Sequence, residues 1–185
     1  MTDKSSKIKG AHSHFDLASF GKRMEFSLIA DMLKEGLDIY RPMVDDKGID
    51  CVLRRPDGTF AEIQIKARSK RIDPQNAARF AAIRCTPRPN YWFVFHAALL
   101  GENGLMWIMN SLELVKNASC NKTGKHIGVY TILLHKIKKE GGVTKIYPNP
   151  AYEKFITTNF DRIMANSLLE QNIIEHASHP LATCK

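Results

Sequence analysis

Two short stretches near the middle of the chain alternate between apolar and polar residues. Apolar side chains in 49–54 and 60–66 recur at every second position, which is the period of a β-strand with one buried face. A Pro-Asp-Gly sequence at 56–58 separates them and predicts a three-residue hairpin loop that pairs Arg55 with Thr59. In this register one face of the hairpin is apolar and carries Ile49, Cys51, Leu53, Ala61, Ile63 and Ile65.

The opposite face of the predicted hairpin carries an acid, an amide and an amine. The register sets Asp50 across from Gln64, with Lys66 two residues further along the same strand. Glu62 shares this face, either as a distal site residue or as a solvated one. A purely structural sheet has little reason to cluster these groups, so we predict a functional site here.

The segment 20–35 has the period of an amphipathic helix. Glu25 falls inside its apolar sector, next to Leu28, Ile29 and Met32. A carboxylate in such a position is costly unless it meets a cation or hydrogen-bond donors. Two interpretations stay open, a core ion pair and a site residue that faces the hairpin.

The remaining pattern predicts further strands and helices. They are a strand at 38–44, a helix at 74–84, a buried strand at 91–95, a strand at 105–109, a short helix capped by Ser111, a strand at 127–134, a basic turn at 136–142, a strand at 143–147 and a helix from Pro150 through Leu168. This order predicts an α/β (α+β) fold, a mixed β-sheet flanked by helices. We expect a flexible arm at 1–14, a single domain at 15–175 and a flexible tail at 176–185.

The chain is basic, with 27 Lys and Arg against 19 Asp and Glu, a net charge of +8 and a pI near 9.4. This balance favours a polyanionic partner, with nucleic acid first. Arg68, Lys70 and Arg71 directly follow the proposed site strand, where cations suit phosphate contacts. A solvated basic face is the alternative for the later lysines, and the sequence leaves DNA and RNA both open.

The cysteines, Cys51, Cys85, Cys120 and Cys184, have no CxxC spacing. They predict neither a zinc site nor a disulfide framework, which favours a cytoplasmic location. The first fourteen residues lack the apolar core of a secretory signal, and no run is long enough for a membrane span.

The order of Glu25, Asp50, Gln64 and Lys66 resembles the PD-(D/E)XK nuclease superfamily. That pattern is an inward Glu on a helix, then an acid, a strand–turn–strand and an acid-x-Lys. Here Ile49 stands where the pattern has Pro, and Gln64 stands where it has Asp or Glu, a Gln-x-Lys variant found in some intron homing endonucleases. The resemblance covers residues 20–110 and implies a restriction-endonuclease-like core.

The resemblance implies an endonuclease that uses Mg²⁺, or Mn²⁺ in its place, to hydrolyse DNA. Asp50 would be the principal metal ligand, with the Gln64 carbonyl and the Ile65 backbone carbonyl beside it. Glu25 would complete the metal site, and Lys66 would orient the attacking water. The superfamily also implies a homodimer, for which an apolar C-terminal helix with Phe155, Phe160, Ile163 and Leu168 offers a surface.

Two other classes of protein remain open. Because Gln64 replaces a carboxylate, the chain could be a non-catalytic nucleic-acid-binding module with a degenerate nuclease fold. It could also be a small-molecule or protein-interaction domain with a coincidental motif. The motif residues Glu25, Asp50 and Lys66 favour the enzyme.

Overall fold

The structure is a computed structural model that describes residues 11–44, 47–123 and 127–165, with side chains from residue 19 onward. Its helices are α1 (Ala11–Lys34), α2 (Ser111–Asn117) and α3 (Asp161–Met164), with 3-10 helices at Pro74–Asn76 and Pro150–Phe155. Its strands are β1 (Asp38–Tyr40), β2 (Cys51–Arg54), β3 (Phe60–Arg68), β4 (Arg79–Ile83), β5 (Tyr91–Ala97), β6 (Leu105–Asn110), β7 (Ser119–Cys120), β8 (Tyr130–Leu133), β9 (His135–Glu140), β10 (Val143–Pro148) and β11 (Ile156–Thr157).

A central sheet with the strand order β1-β2-β3-β5-β6-β11 divides the molecule into layers. Strands β3 and β5 are parallel, and the other neighbours are antiparallel. One face packs against apolar residues of α1 and α3, and the other against β4, β8 and α2. The predicted α+β class with a mixed sheet flanked by helices is therefore confirmed.

Strand β5 alternates between the two cores, which explains its continuous apolar run. Tyr91, Phe93 and Phe95 belong to the core on the β4 side, whereas Trp92 and Val94 belong to the core under α1. A strand that is buried on both faces has apolar residues at every position of its sequence. The predicted central strand at 91–95 is therefore confirmed, and its rings pack in the core.

The predicted hairpin forms between β2 and β3. Cys51 pairs with Ile63 and Leu53 pairs with Ala61, in the register expected from the turn. The N–H of Arg55 donates to the Thr59 carbonyl at 2.8 Å. The buried Arg55 side chain also donates from Nε to the Ile163 carbonyl at 2.7 Å, which ties the turn to α3.

The regular pairing of β2 with β3 ends at Cys51. The predicted register therefore fails at the preceding residue, Asp50, which was expected to lie across from Gln64. Cys51 is the partner of Ile63, yet the N–H of Asp50 donates to the Ile63 carbonyl at 2.9 Å. Two successive residues thus oppose one, which is the arrangement of a β-bulge. The predicted alternation does not extend to Ile49, which packs against the core on the β4 side and not beside Cys51.

Both helices predicted from 74–84 and 150–168 are wrong over most of their length. Each begins with a 3-10 helix at its proline, and a strand follows, β4 in the first and β11 in the second. Within the described part of the second segment, α-helix is limited to the four residues of α3. In β4, Phe80 and Ile83 point into the core against β8, with a bulge between them where Ala82 has φ 58°. Alanine-rich composition favours a helix, but tertiary packing decides for a strand here.

Several other predicted boundaries differ. The first helix begins at Ala11 rather than at residue 20, within the predicted arm, and ends at Lys34. The predicted strand at 38–44 shrinks to β1, and the basic turn at 136–142 is mostly strand β9. The cap of α2 is Asn110 rather than Ser111. The tail at 176–185 lies outside the described residues.

The predicted apolar surface of the C-terminal helix is absent from the described part of that segment. Phe155, Phe160 and Ile163 are all buried in the cores, so they give no surface for a second copy. Leu168 lies outside the described residues. The sequence predicts no disulfide framework; in the structure Cys120 is disulfide-bonded, while Cys51 and Cys85 are free. None of the described helices combines the length and apolar character that a membrane crossing needs.

A buried histidine at the start of β9 predicts a loss of stability in acid. Nδ1 of His135 accepts from the Ala78 N–H at 3.1 Å, and burial lowers the pKa of His135 below its ordinary value of 6.5. The unfolded chain therefore binds the extra proton first, so the free energy of unfolding falls as pH drops below about 6.5. We expect His135→Asn, which keeps an acceptor but does not titrate, to reduce this fall.

The measurement is the urea midpoint of both proteins at pH 7 and pH 5. Burial also lowers the pKa of His96, so part of the pH dependence should remain in the variant. An unchanged difference between the two pH values in His135→Asn would contradict the assignment to His135.

Candidate active site

The candidate site lies where β3 continues beyond its partner β2. The pairing of the two strands ends at Cys51 and Ile63, while β3 runs on to Arg68. Beyond this point β2 no longer pairs with β3. The Asp50 carboxylate takes the hydrogen bond that a paired strand would accept, because its Oδ2 accepts from the Ile65 N–H at 2.7 Å. A charged acceptor of this kind makes a stronger hydrogen bond than a neutral one. The bond fixes the Asp50 carboxylate at the open edge of β3.

The backbone of β3 adds a carbonyl to the same edge. The Glu62 N–H donates to the Asn90 carbonyl, so the even-numbered residues of β3 turn their backbone groups toward β5. In a strand the next residue faces the other way. The Ile65 carbonyl therefore points to the edge where its own N–H meets Asp50.

Gln64 is held from two sides. Its Oε1 accepts from the Tyr91 hydroxyl at 3.3 Å. A Cβ atom on Gly48 would lie 2.3 Å from Gln64 Nε2, and Gly48 has φ 72°, a conformation that favours glycine. The turn before Asp50 thus needs glycine both for its backbone and for the approach of the amide. The amide oxygen keeps a second lone pair for another donor or a cation.

We expect Tyr91→Phe to lower activity at this site without unfolding the protein. The substitution keeps the buried ring but removes the hydroxyl that orients Gln64. The loss should be about 3- to 10-fold in cleavage rate, since one neutral hydrogen bond contributes about 1 kcal/mol. The measurement compares nicking rate and thermal midpoint in both proteins, with Tyr152→Phe as a control that removes a hydroxyl bonded to the Asn117 carbonyl at the end of α2. Equal losses in the two variants would contradict a specific role.

Lys66 follows Gln64 on the same face of β3. The two residues pair with Phe95 and Phe93 across the parallel ladder, and both are half-buried. The positive charge of Lys66 also acts on the Cys85 thiol, whose pKa burial raises and Arg88 and Lys66 lower. Lys66 therefore puts a positive potential on the side of the sheet where the Gln64 amide lies.

Glu25 lies on α1, which packs against the face of the sheet that carries Cys51 and Ile63, whereas the Gln64 and Lys66 side chains lie on the other face. Its side chain is 17% exposed and forms an ion pair with Lys22 one turn earlier on the helix. Burial, the Asp50 carboxylate and the Glu25 carboxylate, opposed by the charge of Arg41, together raise the pKa of the Cys51 thiol to about 12. Both acids thus act on one buried thiol at the start of β2. The cation that meets Glu25 belongs to the helix surface and not to the core.

Glu62 is a structural partner in this arrangement. It forms an ion pair with Arg88, whose guanidinium stacks 4.3 Å from the centre of the Tyr91 ring. The Glu62–Arg88 ion pair and the cation–π contact of Arg88 with Tyr91 hold the start of β3 beside the site. Glu62 therefore has a structural role here.

The three basic residues predicted to contact nucleic acid follow the site strand but differ in their surroundings. Arg68 donates from Nε to the Arg79 carbonyl at 2.9 Å and lies 5.4 Å from the Phe80 ring. Burial and the nearby Arg79 lower the pKa of Arg68. Lys70 is exposed and donates to the Glu102 carbonyl at 3.2 Å, and Arg71 is exposed.

A basic cleft beside Tyr91 was not singled out from the sequence. It has a volume of about 430 Å³ and is lined by Lys47, Arg84, Cys85, Thr86, Arg88, Tyr91 and Gly128. These residues come from four separate loops and strands, so only the excess of arginine at 84–88 signalled it in the sequence. Its cations extend the positive potential from the site strand along the surface.

The site offers hard oxygen donors for a divalent cation. Asp50, Glu25, the Gln64 amide and the Ile65 carbonyl are all oxygen ligands, the kind that Mg²⁺ prefers. No group of three His, Cys, Asp or Glu side chains within residues 11–44, 47–123 and 127–165 is arranged to hold a metal. A metal here would thus depend on the amide and backbone oxygens as well as on the two acids.

Among known proteins, similarity to this chain is found at the level of solved structures alone. No protein-family model matches the chain, and no curated protein matches it. Among solved structures it is similar to a bacterial homing endonuclease, I-Ssp6803I, with 14% sequence identity and a TM-score of 0.48. That likeness covers 82% of this chain and 94% of the endonuclease chain. A likeness at this level leaves the function to be argued from the site itself.

Proposed function

We propose that the chain is a Mg²⁺-dependent endonuclease that hydrolyses phosphodiester bonds in DNA. The observation that carries the proposal is the Asp50 carboxylate, held by the Ile65 N–H at the open edge of β3. Gln64 and Lys66 follow on the same strand, and Glu25 lies on α1, where its charge acts on Cys51 at the start of β2. The resemblance of these four residues to the PD-(D/E)XK pattern supports the same function.

Each residue has a role that its surroundings support. Asp50, Glu25, the Gln64 carbonyl and the Ile65 carbonyl would hold the metal, or Mn²⁺ in its place. When bound, such a cation stabilises charge on the phosphate and makes a water nucleophilic at neutral pH. Lys66 orients the attacking water and offsets the charge that develops on the phosphate oxygens. Tyr91 positions Gln64 through its hydroxyl.

The basic residues next to the site supply the affinity for a polyanion. Arg68, Lys70 and Arg71 lie at the end of β3, and the cleft with Lys47 and Arg84 lies beside Tyr91. Contacts from such cations to phosphates release counterions, so binding should weaken steeply with salt. Binding would then place the sugar–phosphate backbone of the DNA across β3.

A second function, a DNA-binding module without catalysis, is favoured by one observation. Gln64 is neutral, and its oxygen already accepts from Tyr91. Loss of a carboxylate at this position lowers the negative charge available to a metal. The two functions differ in whether bound DNA is cut.

Nicking of supercoiled plasmid tests the proposal directly. The purified chain, with Mg²⁺ or Mn²⁺ over a range of salt, should convert supercoiled plasmid to nicked and linear forms, and EDTA should stop the reaction. Binding that persists in EDTA without any nicking, over varied sequences and both metals, would favour the binding module. Absence of binding at low salt would contradict both functions.

A further inference from the structure

Strands β9 and β10 form a separate two-stranded ribbon, His135–Pro148, outside both larger sheets. Each strand has six residues, so the ribbon extends by about 20 Å. Gly141 and Gly142 form its tip with φ 59° and 79°, the conformation of a narrow two-residue turn. In the described part of the chain neither strand pairs with a third strand, and most of the ribbon is exposed.

The base of the ribbon is fixed to the body. His135 is buried and bonded to the Ala78 N–H, and the Asn149 N–H donates to the Leu134 carbonyl at 2.9 Å. Ile146 packs against the core on the β4 side. The face of the ribbon that carries Ile146 is therefore turned toward the body, and the other face is turned outward.

The outward face concentrates lysines. Pairing across the ribbon brings Lys138 opposite Lys145 and Lys136 opposite Tyr147 on this face. The ribbon as a whole contains four lysines and one glutamate. Lys138 lies 5.6 Å from the centre of the Tyr147 ring, and Lys145 forms an ion pair of 2.8 Å with Glu140.

The pairing of two lysines is unfavourable for the free ribbon. Like charges directly opposite each other on an antiparallel pair destabilise it. A short exposed ribbon is already of marginal stability. Glu140 offsets part of this repulsion through its ion pair with Lys145, but the three lysines of this face, Lys136, Lys138 and Lys145, still outnumber its one glutamate. A polyanion that binds between them would remove the repulsion.

We propose that this ribbon enters the major groove of duplex DNA, with its lysine face toward the phosphates and base edges. The major groove of B-form DNA is about 12 Å wide and about 8.5 Å deep, and it admits a two-stranded ribbon. The major groove of A-form RNA is too deep and narrow for side chains to read. The inference rests on the proposed function and narrows its substrate to duplex DNA.

The first experiment compares two double variants with the same change in charge. Lys138→Gln with Lys145→Gln removes the facing pair, and Lys34→Gln with Lys116→Gln removes two exposed lysines on α1 and α2. Fluorescence anisotropy with a 30-base-pair duplex is measured between 50 and 200 mM salt. The ribbon variant should bind about tenfold more weakly. The slope of log K against log salt concentration should fall by about 2 in magnitude, because each of the two lost phosphate contacts contributes about 0.9 to that slope.

A readout of stability separates binding from folding. Removal of the facing lysines relieves repulsion but also removes the exposed ion pair of Lys145 with Glu140, and both effects are small, so the thermal midpoint of the ribbon variant should stay close to that of the wild type. Lower affinity together with a lower midpoint would show that the lysines act on the fold, which would overturn the proposal. Equal affinity of the ribbon and control variants would overturn it as well and would leave an acidic protein as the partner of the ribbon.

The second experiment tests the groove. The probes are a plain DNA duplex, a duplex with glucosylated hydroxymethylcytosine that fills the major groove, and an RNA duplex of the same sequence. The wild-type chain should bind plain DNA at least tenfold more tightly than either of the other probes. The ribbon variant should discriminate less between plain and glucosylated DNA. Equal binding of all three probes by the wild-type chain would overturn the proposal.

These outcomes are distinguishable from failure of the proposed function. If the plasmid is nicked but the ribbon variant binds DNA like the control, the ribbon inference fails and the enzyme stands. If the ribbon variant alone loses duplex binding but the wild-type chain never nicks, the enzyme fails and the ribbon inference stands.

Discussion

Lys66→Ala should lower the rate of DNA cleavage by about 100- to 1000-fold while the affinity for DNA falls only slightly. Lys66 follows Gln64 on the same face of β3. In the proposed mechanism its charge stabilises the transition state more than it stabilises the bound duplex. Loss of one preorganised electrostatic contact at a reacting centre costs about this factor. One phosphate contact among several, in contrast, carries a small share of counterion release. The measurement is single-turnover nicking at saturating DNA.

Three further variants make this result specific. Lys116→Ala removes an exposed lysine on α2 and should leave cleavage unchanged. Arg68→Ala and Lys70→Ala should show the reverse balance, a lower salt slope of binding with most cleavage kept at saturating DNA. Cleavage that survives Lys66→Ala undiminished would mean that the centre of the enzyme lies elsewhere.

Asp50→Asn should abolish both metal binding and cleavage while the fold remains. The amide keeps an oxygen that can accept from the Ile65 N–H, so the hairpin edge should lose no more than about 1 kcal/mol. The variant removes the negative charge that attracts a hard divalent cation. We expect cleavage to fall by at least about 1000-fold, because the variant would lose the metal contribution to charge stabilisation.

Calorimetric titration with Mg²⁺ and thermal denaturation measure the two halves of this prediction. The control is Asp38→Asn, which neutralises an exposed carboxylate on β1. That carboxylate lies 3.9 Å from the Arg54 guanidinium on β2. Identical metal binding in wild type and Asp50→Asn would exclude this site. A large loss of thermal stability in Asp50→Asn would assign the carboxylate to folding instead.

The hairpin was predictable because local signals determine it. The Pro-Asp-Gly turn and the alternation of Cys51, Leu53, Ile63 and Ala61 agree with each other, and the register between them follows. The bulge at Asp50 was not predictable, since it depends on a backbone hydrogen bond to Ile63 rather than on residue type. The helix predicted at 74–84 failed for a similar reason, because β8 supplies the partner that makes β4 a strand.

The candidate site stays a prediction, for which the sequence indicated residues but no geometry. Asp50, Gln64 and Lys66 were recognised from their spacing, and these positions do lie along one strand and its open edge. The sequence could not indicate Tyr91 as the partner of Gln64, because 27 residues separate them. Nor could it indicate Gly48, whose importance comes from the close approach of the Gln64 amide.

The two outermost strands of the central sheet have a consequence for self-association. β1 contains three residues and β11 contains two, so each edge exposes few free N–H and C=O groups. Short edges give another chain little to pair with, which protects a mixed sheet from edge-to-edge aggregation. Two copies of this protein should therefore not join by extending the sheet. A dimer would instead have to use side chains from the outer layers or the edges of the β9–β10 ribbon, which pair with no third strand among the described residues.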